Sequence, residues 1–306
     1  MRHDLKLKRH LCLVVSCLAL ISCAGPIAHV SSAPTAGSRY VAMGSSYAAG
    51  PGVTTPAETP SNRCQRSADN YSHQLARKRN LLLVDVSCGG ATTAHLLGPW
   101  GEMPAQLDAL NADTRLVTIT IGGNDVSFVG GLFAASCKGL ALHAVSNMPR
   151  FCPPVKAEPS ASEALTRARS LAAPTEASWN TLESHLNQII QEVHRRSPVA
   201  RLIFVDYLSV IPEGQLCDTT PLSPEDAATS RAIAKRLKLL TAALAKRGGA
   251  EVLTASDMSR QHSACAKTPW ITGFISPTGV TRFTPYHPNL DGMTAIASAL
   301  NQKLSR

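Results

Sequence analysis

Four short turns carry side chains that together could perform acyl transfer. They are Gly44-Ser45-Ser46, Gly89-Gly90-Ala91, Gly122-Gly123-Asn124-Asp125 and Tyr286-His287-Pro288-Asn289. Acyl transfer needs a hydroxyl or thiol nucleophile with a base in hydrogen-bond reach. It also needs donors aimed at the oxyanion that develops on the attacked carbonyl. Ser45 and Ser46 offer hydroxyls, His287 an imidazole, and the glycine amides and Asn124 offer donors. Each turn alone has a plainer reading. Ser45 or Ser46 reads equally as a helix N-cap, and Asp125 as a cap for the helix that follows it. His262 reads as a packed or surface histidine and Trp270 as core or pocket wall. Asp206 and Asp257 read as caps or turn formers.

The elements around these turns bear on the choice. Apolar runs at 40–43, 81–86, 116–121, 201–206 and 251–254 predict five strands, and the first three end at the first three turns. A helix is predicted around 70–78. Leu182, Leu186, Ile189, Ile190 and Val193 fall on one helical face, as do Ile233, Leu237, Leu240 and Leu244. The second of these helices opens at Ser223-Pro224-Glu225-Asp226 and stops at Gly248-Gly249. A last helix follows Asn289, with Met293, Ile296, Leu300 and Leu304 on one side. Strands alternating with helices predict an α/β fold, a three-layer α/β/α sandwich around a five-stranded, mainly parallel sheet. The first three turns then meet at one carboxyl edge, where open α/β sheets bind ligands. Gly44-Ser45-Ser46-Tyr47-Ala48 nearly matches a Gly-x-Ser-x-Gly elbow, but that motif sits mid-chain, not after a first strand.

Composition bounds the rest. The 306 residues are 44% apolar, with a formal charge of +9. Arg2, Lys6, Lys8 and Arg9 against Asp4 put +3 of that charge in the first ten residues, leaving +6. Lysines and arginines are scattered and no nucleic-acid motif is present, so a nucleic-acid partner is not expected. A basic stretch precedes an apolar stretch at 11–22, too short to span a bilayer and fitting a signal h-region. Leu20-Ile21-Ser22-Cys23 resembles a bacterial lipobox, which implies cleavage before Cys23, lipidation of its thiol and membrane contact through that anchor. A plain secretory signal cut after Ala24 or Ala33 is the other reading. The expected division is a signal peptide at 1–22, a tether at 23–38 and one domain at 39–306.

Six of the nine cysteines lie beyond the leader and the lipobox: Cys64, Cys88, Cys137, Cys152, Cys217 and Cys265. An even number in an exported chain implies disulfides. Local pairing (64–88, 137–152, 217–265) is the simplest connectivity. No Cys-x-x-Cys or paired-histidine spacing suggests zinc, and no metal or cofactor is expected. The stretch from Cys137 to Ser178 has no sustained period and reads as a long excursion tied by Cys137 and Cys152, part of a substrate lid.

The four turns, in this order, resemble those of the SGNH hydrolases, the GDSL lipase/esterase superfamily, across nearly all of 39–306. The resemblance implies Ser46 as nucleophile, His287 as general base, and the Ser46 N–H, Gly90 N–H and Asn124 amide as oxyanion donors. Cys64-Gln65-Arg66-Ser67 and His262-Ser263-Ala264-Cys265 before Pro269-Trp270 resemble secreted actinobacterial esterases with three disulfides. That closer resemblance implies the local pairing and a small monomeric esterase without a metal. Two positions depart from the pattern: Ser45 stands in place of an aspartate, and Thr284 where an aspartate would precede the histidine by three residues. A triad acid orients the imidazole and stabilises its cation. Here a backbone carbonyl, that of Thr284, is expected to accept the imidazole Nδ1–H, with Asp291 or a distant acid as the alternative. The expected function is an exported serine esterase or lipase working through an acyl-enzyme. A silent lipid- or glycan-binding lipoprotein, or an O-deacetylase or acyltransferase of surface glycans, is the competing reading. The loops at 51–63 and 129–178 carry no code for acyl length or alcohol.

Overall fold

A computed structural model of the chain describes residues 33–142, 152, 174–275 and 283–306. The leader, Cys23 and most of the tether lie outside these residues, as does most of the expected lid (143–151 and 153–173). Five strands form one sheet: β1 (Arg39–Gly44), β2 (Leu82–Asp85), β3 (Thr114–Thr120), β4 (Arg201–Val205) and β5 (Glu251–Leu253). Every pairing is parallel and the order is β2-β1-β3-β4-β5. Parallel neighbours need crossover connections, and helices supply them.

The helices are α1 (Ser46–Ala49), α2 (Tyr71–Arg79), α3 (Thr93–Leu97), α4 (Phe128–Leu142), α5 (Glu176–Arg196), α6 (Pro224–Arg247), α7 (Ala255–Met258) and α8 (Leu290–Lys303). They pack in two sets. α2 lies against α8, while α5 packs on α3 and α6, and α6 on α4. The sheet between them is dry at its centre: Tyr40, Val41, Ala42 and Met43 of β1 are fully buried, as are Leu116, Val117 and Ile119 of β3. Burial of this kind contributes about 25 cal/mol per Å² of apolar surface, which is why central strands read as unbroken apolar runs. The edge strand β2 leaves Leu82 exposed.

The helix starts follow local chemistry. Asn70, Ser223 and Asn289 accept the N–H groups of His73, Asp226 and Gly292, the usual N-cap bond. The three disulfides are Cys64–Cys88, Cys137–Cys152 and Cys217–Cys265, the local pairing. The excursion after Cys137 needs correction. Cys137 lies inside α4, and Ser178 lies inside α5, whose Thr175 cap accepts the Ser178 N–H. Phe128, Val129, Leu132, Cys137 and Leu140 do share a buried helical face. The glycines, alanines and serine between them (Gly130, Gly131, Ala134, Ala135, Ser136) mask its period.

Candidate active site

Strand order reverses between β1 and β3: the chain runs outward from β1 to β2, then returns to β3 on the other side. Ligands bind outside the carboxyl ends of strands at such a switch point. The turns after β1, β2 and β3 meet there because their backbones are bonded to one another. Ser45 N–H donates to Thr120 O, and Cys88 N–H to Gly44 O. Asn124 Nδ2 donates to Ala91 O at 2.8 Å, and the Asp125 carboxylate accepts the Thr93 N–H at 3.1 Å. Asp125 thus caps α3, not the helix after it, because its turn folds back toward the α3 N-terminus.

The β1 turn is held tightly. Gly44 has φ +138°, and a β-carbon there would stand 2.3 Å from Thr120 O, so only glycine fits. Gln106, buried beside it, accepts the Gly44 N–H at 2.7 Å and donates to the Gly44 carbonyl at 3.0 Å. Ser45 is buried, with its hydroxyl 3.4 Å from Tyr207 Oη, which also accepts the Gly123 N–H at 2.8 Å. Ser46, the next residue, is partly open to the crevice. Between the two serines, burial therefore favours Ser46 as the reactive hydroxyl.

His287 arrives from the far end of the chain on a loop fastened to the segment around 270–274. Ile271 bridges Pro288, Thr272 N–H donates to His287 O, and Asn289 N–H donates to Trp270 O. Thr272 Oγ1 donates to Thr284 O at 2.6 Å. Tyr47, one residue after Ser46, donates its hydroxyl to Tyr286 O, tying the serine turn directly to the histidine loop.

His287 Nε2 lies 2.7 Å from Ser46 Oγ, and its Nδ1 lies 2.7 Å from Pro285 O. A carbonyl only accepts, so Nδ1 carries the proton and Nε2 is left to accept from the serine hydroxyl. The carbonyl is one residue beyond the expected Thr284 carbonyl, which is occupied by Thr272 Oγ1 and the His287 N–H. Asp291 sits exposed in the first turn of α8. Burial pushes the imidazole down to about 4, only partly offset by the bond to Pro285. The ring is therefore neutral at pH 7.

Donors stand nearby. Ser46 begins α1, so its N–H has no intrahelical acceptor. Gly90 is exposed, with φ +83°, and no backbone bond engages its N–H among the described residues. The Asn124 amide carries two hydrogens and gives one to Ala91.

A sequence model of the GDSL-like lipase/acylhydrolase family matches residues 42–295. The chain belongs to this family. The enzyme is 31% identical over 265 residues to Lipase 2 of Streptomyces coelicolor, covering 84% of this chain and 83% of that one. It is 26% identical to a lipase of Streptomyces rimosus over 271 residues, 88% of each. An extracellular lipase from that species matches in structure with a TM-score of 0.65, over 87% of this chain and 99% of that one. A phospholipase A1 from Streptomyces albidoflavus shares the fold, with a TM-score of 0.67 at 22% identity over 88% of this chain and all of that one. This GDSL-family protein is accordingly an SGNH-type ester hydrolase, and its three disulfides fit export.

Sequence reasoning missed Gln106, Tyr47, Tyr207 and Pro285. Gln106 carries a weak signal, as an amide that opens a short 3₁₀ turn (Gln106–Ala109) between apolar Ala105 and Leu107. A backbone carbonyl such as that of Pro285 carries none. His262 stacks on Trp270 with ring centroids 4.1 Å apart, and Asp257 pairs with Lys238 and Arg260. Asp206 accepts the Ser256 N–H and Oγ–H, capping α7. Among the described residues, no group of three His, Cys, Asp or Glu side chains is placed to hold a metal.

Proposed function

We propose that this enzyme hydrolyses acyl esters through a Ser46–His287 dyad and a covalent acyl-enzyme. Neutral His287 takes the Ser46 proton at Nε2 as Ser46 Oγ attacks the ester carbonyl. The resulting imidazolium returns that proton to the leaving alkoxide, and the ester C–O bond breaks. Water then repeats the sequence against the acyl-enzyme, releasing the acid and restoring Ser46. The Ser46 N–H, Gly90 N–H and free Asn124 amide hydrogen stabilise the tetrahedral oxyanion, an effect worth about 10²–10³ in rate per donor in hydrolases of this kind. The Pro285 carbonyl orients the imidazole, the part an aspartate plays in a triad.

The observation that carries this reading is the 2.7 Å contact between Ser46 Oγ and His287 Nε2, with the ring tautomer fixed by Pro285. A fluorophosphonate probe is expected to label the folded protein at Ser46, mapped by peptide mass spectrometry, and to leave Ser46→Ala and His287→Ala unlabelled. Labelling on another residue, or none, overturns the dyad.

We infer further that the protein acts as a monomer, exported and anchored at the envelope through lipidated Cys23. The apolar stretch at 11–22, the Leu20-Ile21-Ser22-Cys23 pattern and the three disulfides support the export and the anchor. The protein should incorporate radiolabelled palmitate and Cys23→Ala should not; equal incorporation in the two, or none in the parent protein, rules the anchor out.

A further inference from the structure

The turn that bears Gly90 carries a cation that this mechanism does not use. Gly89 N–H donates to Cys64 O at 3.0 Å, and Cys64 is bridged to Cys88, so Arg63 is held against the turn. Its guanidinium carbon lies 3.7 Å from the centroid of the Trp100 ring. Trp100 Cη2 in turn lies 3.3 Å from where a β-carbon on Gly90 would stand, so the indole edge borders the amide proposed for the oxyanion. His95 stacks against the same indole, centroids 4.1 Å apart and ring planes nearly parallel. Its Nδ1 accepts the Thr92 N–H, which makes that ring neutral and leaves Arg63 as the charge of the stack.

Arg66, three residues on, shows what a structural arginine does here. It is buried, donates to Ser87 O at 2.8 Å and pairs with Glu58. Arg63 is different. Among the described residues its donors form no hydrogen bond within the protein. Its ion partner Glu102 is 3.9 Å away with a side chain 70% exposed. A guanidinium lying over an indole keeps its in-plane donors open, and their fork matches a carboxylate or phosphate. The arrangement is a fixed, half-exposed cation beside the ester carbonyl's expected position, with only a loosely held competitor.

We propose that Arg63 on Trp100 is an anion subsite, recognising ester substrates that carry a carboxylate or phosphate group close to the scissile carbonyl. This rests on the Ser46–His287 reading of the site. Glu102 occupies the guanidinium until such a substrate displaces it.

The test uses two ester pairs differing in charge: monomethyl succinate against methyl butyrate, and dibutyryl glycerophosphate against dibutyrylglycerol. In the disulfide-intact protein, Arg63→Gln should lower the ratio of kcat/KM for anionic over neutral ester about tenfold in at least one pair, the loss of one charge-assisted hydrogen bond. The change should appear in KM, and Glu102→Gln should raise the same ratio. A fall confined to the succinate pair puts the anion on the acyl side, and one confined to the phosphate pair puts it on the alcohol side. Ratios unchanged within about twofold in both pairs overturn the subsite. Tryptophan fluorescence titration of Ser46→Ala with monomethyl succinate and dibutyryl glycerophosphate reads binding without turnover. Adding Arg63→Gln should weaken it about tenfold for at least one of the two. Arg63-dependent binding in a protein that hydrolyses none of the four esters would sink the dyad and uphold the subsite; Arg63-independent binding in a protein that hydrolyses them would sink the subsite and leave the dyad standing.

Discussion

The end of β4 and the histidine loop each hold half of what a catalytic triad would contain. After β4, Asp206 is a buried carboxylate, and burial pushes it up to about 6 against the bonds from Ser256. On the loop, His287 is a buried imidazole pushed down to about 4, with a backbone carbonyl where a carboxylate would stand. Burial has done the same thing to both, favouring the neutral form and so shifting acid and base in opposite directions. Their neighbours separate them. The aspartate faces the N-terminus of α7 and is used up as its cap, whereas the imidazole faces a partly exposed hydroxyl. A perturbed titration marks a site only when something reactive lies within reach.

The largest effect should come from breaking the second half. His287→Ala is expected to lower kcat/KM on a short acyl ester by about 10⁴-fold or more, as loss of the base does in serine hydrolases. Asp206→Asn should stay within a few-fold. Its signature should be in stability instead. A carboxyl raised from its usual value to about 6 favours the fold most below about pH 4, and that share fades as pH rises through 6. Asp206→Asn should flatten this stretch of a Tm-against-pH curve. Equal losses of activity in the two variants would mean that Asp206 works through His287 after all.

The same contrast shows what a sequence can carry. All five strands were legible because buried parallel strands are written as apolar runs, and the capped helices because their caps sit a fixed number of residues from the bonds they make. Ser46 stood out because its turn ends such a run with small residues, and His287 because it stands in a Tyr-His-Pro-Asn turn just before the last helix. Gly90 and Asn124 stood out as Ser46 did, in turns that follow strand runs. The helix through Cys137 was hidden because Gly130, Gly131, Ala134 and Ala135 dilute its apolar face. The partner of Nδ1 was off by one, from Thr284 to Pro285, since every residue has a carbonyl and only the path of the chain aims it. Gln106 was hidden for a related reason. Its two bonds go to the backbone of Gly44, sixty-two residues earlier, and backbone partners leave no trace in the partner's side chain.

Gln106 offers a smaller and more selective break. Gln106→Leu keeps the side chain's bulk and removes both bonds, leaving the Gly44 N–H unpaired in a dry site and its C=O bonded only to the Cys88 N–H. The β1 turn should relax, and displacement of a reacting atom by about 1 Å can cost about 10²-fold. We expect kcat to fall about ten- to a hundredfold with KM nearly unchanged, after normalising to sites titrated with fluorophosphonate. A lower Tm with unaltered kcat per titrated site would reduce Gln106 to a packing residue.

The subtlest expectation concerns pH, and it bears on the carbonyl in place of a carboxylate. An aspartate at Nδ1 would favour the imidazolium and hold the pKa up; the Pro285 carbonyl offers only a dipole, and burial prevails. Only neutral His287 can take the Ser46 proton, so activity falls as pH drops through the imidazole pKa. The acid limb of kcat/KM, which reports the free enzyme, should therefore lie near pH 4. At pH 5.5 an ordinary histidine titrating at about 6.5 would leave about a tenth of the sites active, whereas this enzyme should be close to its full rate. Pro285→Ala should not move the limb, because the substitution leaves the carbonyl in place. A limb at 6.5 or above would show a carboxylate engaging the imidazole in solution, and Asp291, on the turn just after His287, would be the first residue to replace.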